Sequence, residues 1–155
     1  MTVKVPDGAK LDIASYTVIS GSGSLTARLP AQGTIGDVEI KGDLGSVTLE
    51  MPGGPQGVSV KSLTVKAGSG SLTVYLPDQG DYTASLDADP GSVTVILPAS
   101  LEARVTIDND LGKVDVENGQ LKPVGDQVWE TSGFSSASDR ADMTIKAGSG
   151  SVTVQ

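Results

Sequence analysis

The chain has 155 residues, the size of one domain, and its 37% hydrophobic content with 20 glycines suits a globular protein that buries a core without disulfide or metal. Eleven Lys and Arg against nineteen Asp and Glu leave a net charge of −8, which repels phosphate backbones and anionic lipid surfaces, so nucleic acid is not an expected partner. Cysteine and histidine are both absent, which excludes thiolate metal sites, thiol catalysis and an imidazole base, and no stretch approaches the roughly 18 apolar residues of a membrane span.

Along the chain, a Gly-Ser-x-Thr phrase recurs with its glycine at Gly23, Gly45, Gly70 and Gly91, in a diverged copy at Gly112, and again at Gly150, at steps of 22, 25, 21, 21 and 38 residues. A period of this size marks a stacked architecture in which each unit buries its apolar face against its neighbours. After each glycine the residues alternate with the period of a half-buried strand. Leu25, Ala27 and Leu29 point one way, followed by Val47, Leu49 and Met51, then Leu72, Val74 and Leu76, then Val93, Val95 and Leu97. Val114 and Val116, and finally Val152 and Val154, complete that inward column.

A second alternating segment precedes each phrase and places Val38 and Ile40, Leu63 and Val65, Ala84 and Leu86, Val105 and Ile107, and Met143 and Ile145 inward. The pattern predicts an all-β, two-sheet β-solenoid of about six rungs with short Gly-Ser corners, spanning residues 1–155 as a single domain. Nearly constant unit length favours parallel stacking of like strand on like strand over an antiparallel meander. Pro30, Pro52, Pro77 and Pro98 follow the second strands, where a residue without an N–H ends a ladder at little cost. The long last step holds a polar insertion, residues 118–141, with the only Trp and the only Phe of the chain. Trp129 and Phe134 are expected to fold it over the side or end of the stack as a cap, or else to be presented to a partner.

Three constellations are candidate sites. Asp87 and Asp89 stand 21 residues before Asp108 and Asp110, so stacking in chain order would gather four carboxylates at one corner, where Ca²⁺ could find its oxygens. The simpler reading of these aspartates is solvated turn residues, with Lys66 paired to Asp87, and no cofactor is then required. Outward hydroxyls form the second: Ser24 and Thr26, Ser46 and Thr48, Ser71 and Thr73, Ser92 and Thr94, and Ser151 and Thr153 predict two columns that could bind a repeating ligand such as a glycan or ice. Stacking of Ser and Thr on a solvated sheet is the plainer alternative. Lys113 and Asp115 are expected to interrupt that ladder, and Arg28, Glu50, Tyr75 and Ile96 form a mixed third column. Third, the final strand, residues 151–154, is expected to be an unpaired edge able to pair end to end with another copy.

The phrases "GSGSLTVYLP" and "DPGSVTVILP", the segment "LPASLEARVTIDNDLGKVDVENG", the polar stretch around Trp129 and the closing "DRADMTIKAGSGSVTV" resemble the bacterial "putative adhesin" and toast-rack domain family, related to the C-terminal domain of LiaF-type cell-wall-active-antibiotic response proteins. The resemblance runs from about Thr17 onward. It implies a non-enzymatic domain of the cell envelope, outside the cytoplasm, that binds a protein or a cell-surface ligand in adhesion or serves as a sensor of envelope stress. No catalytic motif comes with it. Relatives often carry membrane segments, which this chain does not show.

Overall fold

The computed structural model describes residues 1–6, 9–52 and 57–155. Their secondary structure is all β, with fifteen strands in two sheets and no closed barrel. Among them no helix is long and apolar enough to cross a membrane. After β1 (Thr2–Lys4), the chain passes back and forth between the sheets. β2 (Lys10–Ser22), β4 (Gln32–Leu44), β6 (Val58–Ala67), β8 (Asp81–Ala88), β10 (Glu102–Asp108) and β14 (Arg140–Lys146) belong to the eight-stranded sheet. Each turns through a short corner into a strand of the seven-stranded sheet: β3 (Leu25–Arg28), β5 (Val47–Glu50), β7 (Leu72–Tyr75), β9 (Val93–Ile96), β11 (Val114–Val116) and β15 (Val152–Val154). The ladders between these strands are parallel, with Leu25 on Val47, Val47 on Leu72 and Leu72 on Val93, as like-on-like stacking requires.

The core lies between the sheets and consists of the alternating residues the sequence marks. Leu49, Leu72, Val74, Val93, Val95, Val152 and Val154 face Ile40, Val65, Leu86, Val105, Ile107, Met143 and Ile145, all at 0% exposure. At roughly 1.5–3 kcal/mol for each fully buried aliphatic side chain, these columns are the main attraction between the sheets. Tyr82 is the one tyrosine taken inside; its hydroxyl donates to the Pro77 carbonyl at 3.2 Å, and burial pushes its pKa well up. In β2, β4 and β6 the alternation slips by one residue, so that Ile13, Ile35 and Val60 stack in register, and the next inward set is Tyr16, Val38 and Leu63. The bend from this added residue is stacked through three strands, as a bulge conserved in register would be.

Among the repeating units, strand order departs from chain order in one place. The seven-stranded sheet runs β1-β3-β5-β7-β9-β15-β11, and in the eight-stranded sheet β14 sits between β8 and β10. The final strand pair is therefore internal in both sheets, and the expected free edge at residues 151–154 does not exist. The path that allows this is the insertion. β12 (Lys122–Gly125) and β13 (Val128–Glu130) form an antiparallel hairpin on the outer side of β10, turning at Gln127 with φ 58°. Residues 131–139 then cross over β10 to its inner side. Thr131 fixes the crossing: its N–H donates to the Ala103 carbonyl and its hydroxyl accepts the Ala103 N–H, each at 2.9 Å.

Candidate binding face

The outer face of the seven-stranded sheet carries the hydroxyl columns. Each Gly-Ser corner delivers a serine, and the following strand turns its second residue outward. Register places Thr2, Thr26, Thr48, Thr73, Thr94 and Thr153 side by side, followed by Asp115 at the sheet edge. Thr153 thus precedes Asp115 in space, although it follows it in sequence. The serines form a parallel column: backbone bonds join Leu25 to Ser46, Val47 to Ser71, Leu72 to Ser92 and Val93 to Ser151, with Lys113 beyond. The expected interruption by Lys113 and Asp115 is corrected by this order. The two residues pair with each other at 2.8 Å at the margin, where the bond to Asp115 holds the Lys113 ammonium above its ordinary pKa.

Thr26, Thr48, Thr73, Thr94 and Thr153 are half-buried by their neighbours, so the column is close-packed, at the strand spacing of about 4.8 Å. Thr2 went unnoticed in the sequence because β1 carries no Gly-Ser phrase; its only signal is the alternation of Thr2, Val3 and Lys4. Beside the threonines runs the third column, Lys4, Arg28, Glu50, Tyr75 and Ile96. It borders a cleft of about 530 Å³ floored by Met51, Leu76, Pro52 and Pro98. Arg28 and Glu50 approach to 3.7 Å, and Tyr75 presents its ring at 44% exposure. Chemically the face offers repeated hydroxyl donors and acceptors beside one aromatic plane and one charged pair.

The four aspartates are not gathered into one corner. Lys146 stands between Asp87 and Asp108 in register, 3.8 Å from the Asp108 carboxylate, while Lys66 approaches Asp87 to 3.8 Å as expected. Gly148 occupies the next position: its missing Cβ would meet the Asp89 carboxylate, and its carbonyl accepts the Leu111 N–H at 3.2 Å, next to Asp110. The inserted strand pair replaces a carboxylate cluster with an alternation of charge, so the expectation that stacking sets Asp108 beside Asp87 is corrected.

The two aromatic residues of the insertion are placed apart. Trp129 lies on β13 opposite Val105, half-buried and packed against the core at that end of the stack. Phe134 is 5% exposed on the side, with the Arg104 guanidinium 4.5 Å and the Arg140 guanidinium 5.6 Å from its ring centre. Both cations are neutralised: Arg104 by Glu130 at 2.8 Å, Arg140 by Asp81 through two bonds of 3.2 Å.

No protein-family model and no curated protein matches the chain. Among solved structures it is similar to the crystal structure of a "putative cell adhesion protein" from Clostridium sporogenes, at 12% identity and a TM-score of 0.39, over 99% of this chain and 91% of the other.

Proposed function

We propose that this domain is a non-catalytic, adhesin-like binding module of the cell envelope, a solenoid whose last unit is threaded between the fourth and fifth, and that its working surface is the Ser/Thr face. The observation that carries the reading is the uninterrupted run of six threonines, which exists because β15 lies between β9 and β11. A chain-like ligand with its own short repeat, such as a glycan, suits that ladder, and Tyr75 supplies a plane for a sugar ring. The reading needs no cofactor, and the absence of His and Cys supports a role without chemistry. The envelope location rests on the resemblance of the repeated phrases.

The test is retention on immobilised polysaccharides from bacterial envelopes and host surfaces, comparing the wild type with Thr73→Lys and Tyr75→Ala. Both residues point outward, so the variants should fold with unchanged circular dichroism. The expected result is retention on at least one polysaccharide that Thr73→Lys abolishes and Tyr75→Ala weakens. Equal retention of all three proteins, or none on any surface, contradicts it; thermal hysteresis without polysaccharide binding would assign the face to ice. A regulatory or sensor role through a protein partner is the second reading, and the open edge of β2 favours it.

A further inference from the structure

Where the strands of the seven-stranded sheet end, the next side chain turns inward and proline follows, as at Met51-Pro52 and Leu97-Pro98. Met51 and Leu76 are each 3% exposed, so the cleft beside the third outward column is floored by core side chains and by prolines, which bring no N–H. Polar recognition by side chains therefore falls to the rim. There the register sets Arg28 beside Glu50, Glu50 beside Tyr75 and Tyr75 beside Ile96, with Lys4 next to Arg28 on the other side.

We infer that this cleft is a subsite for a carboxylated sugar, so that the ligand is an acidic polysaccharide with the carboxylate of one unit at Arg28 and the neighbouring unit laid on Tyr75. The inference rests on the reading of the Ser/Thr face as a glycan surface and adds the charge of the ligand to it. The Arg28 guanidinium is incompletely used. Its Nη1 stands 3.7 Å from the Glu50 carboxylate, beyond hydrogen-bond length, and its Nε is enclosed without an acceptor among the described residues. A planar carboxylate is the group that meets such a fork with two parallel bonds.

Charge along the column gives the ligand its direction. Lys4 and Arg28 stand together at the β1 end, whereas past Ile96 come Gln155 and Glu117, bonded to each other at 3.0 Å. On a chain of net charge −8, an anion is drawn to the first end and repelled from the second. Tyr75 lies two strands from Arg28, about 9.6 Å at the strand spacing, and its ring is 44% exposed. That gap suits consecutive units of one chain, with the apolar face of one sugar on the ring and the carboxylate of the next at the guanidinium. An acidic peptide would satisfy Arg28, but the hydroxyl columns beside it suit a ligand rich in hydroxyls of its own.

Glu50 is the counter-charge that an incoming carboxylate displaces, so removing it and removing Arg28 should act with opposite sign. Of end-labelled oligomers of galacturonate, mannuronate and hyaluronan, at least one is expected to show saturable anisotropy when titrated with the protein. Its carboxyl-reduced, neutral form should bind about tenfold or more weakly, as loss of a charge-assisted bond requires. Arg28→Gln should weaken binding of the acid about tenfold and leave the neutral form unchanged. Glu50→Gln should tighten the acid about threefold; a merely structural ion pair would not give the two variants opposite effects. Both side chains are partly exposed, at 43% and 41%, so both variants should keep the circular dichroism of the wild type. Equal binding of acid and neutral forms, abolished by Thr73→Lys, overturns the inference and leaves the glycan reading of the face in place. Wild-type affinity of Arg28→Gln for the acid, or equal binding of poly-glutamate, also overturns it. No binding of any saccharide, charged or neutral, overturns both.

Discussion

Six glycines line one corner of the stack, and each lies against the backbone of the previous one. A Cβ on Gly45 would meet the Gly23 carbonyl, on Gly70 the Gly45 carbonyl, and on Gly91 the Gly70 carbonyl. The column then continues through Gly150, against Gly91, to Gly112, against Gly150. Close approach of one main chain to the next explains the glycine at this place in the phrase, and Gly150 needs it without any left-handed φ. Gly150→Ala is therefore expected to cost about 1–3 kcal/mol by overpacking, with a matching fall in the thermal midpoint. Gly119→Ala, where nothing lies within 4 Å, should stay within about 0.5 kcal/mol of wild type. Equal midpoints for the two variants would contradict the stacked corner.

At the scale of strands, the outer face of the eight-stranded sheet explains where β14 goes. In one column Asp81 lies beside Arg140 and Arg140 beside Glu102; in another Lys66, Asp87, Lys146 and Asp108 follow in turn. Between them Arg104 is flanked by Asp142 and Glu130, at 3.7 and 2.8 Å. Pairing β8 directly with β10 would set Asp81 against Glu102 and Asp87 against Asp108, and like charges directly opposite are destabilising. Lys146→Glu should lower the thermal midpoint at low ionic strength, and the loss should shrink in about 1 M salt, where screening reaches about 3 Å. No change at low salt would argue against Lys146 lying between the two aspartates. The inward columns were legible in the sequence because alternation is local: Leu72, Val74, Leu86 and Met143 are buried as their spacing predicts. Strand order was not, because the period follows the chain whereas order is settled by which strands tolerate each other across space. The sequence did hold two cues, the sign of Lys146 between two aspartate corners and a last step long enough to cross back. The Ser/Thr face was legible residue by residue, and its continuity was lost with the same misplaced strand. β1 and the β12–β13 hairpin lie outside the repeat, and Pro123 and Gly125 mask the latter.

For the molecule as a whole, residues 140–155 are the bridge between two parts. In neither sheet does the unit of β8 and β9 neighbour that of β10 and β11; each pairs with the last unit instead. The sixth unit thus joins the fourth to the fifth and completes the threonine column, and among the described residues the edge strands are β1 and β11 in one sheet and β2 and β12 in the other. Because the sequence has no cysteine, this order can be read with introduced pairs. Directly opposed residues on adjacent strands are about 4.8 Å apart, and residues two strands apart about twice that, whereas a disulfide needs a Cα separation of about 4.4–6.8 Å. Mild oxidation of Thr94→Cys/Thr153→Cys and of Thr94→Cys/Asp115→Cys, followed by thiol counting on the monomer, is the most direct test. The 94–153 pair should close and the 94–115 pair should keep both thiols free; closure of 94–115 with 94–153 left open would contradict the threaded order.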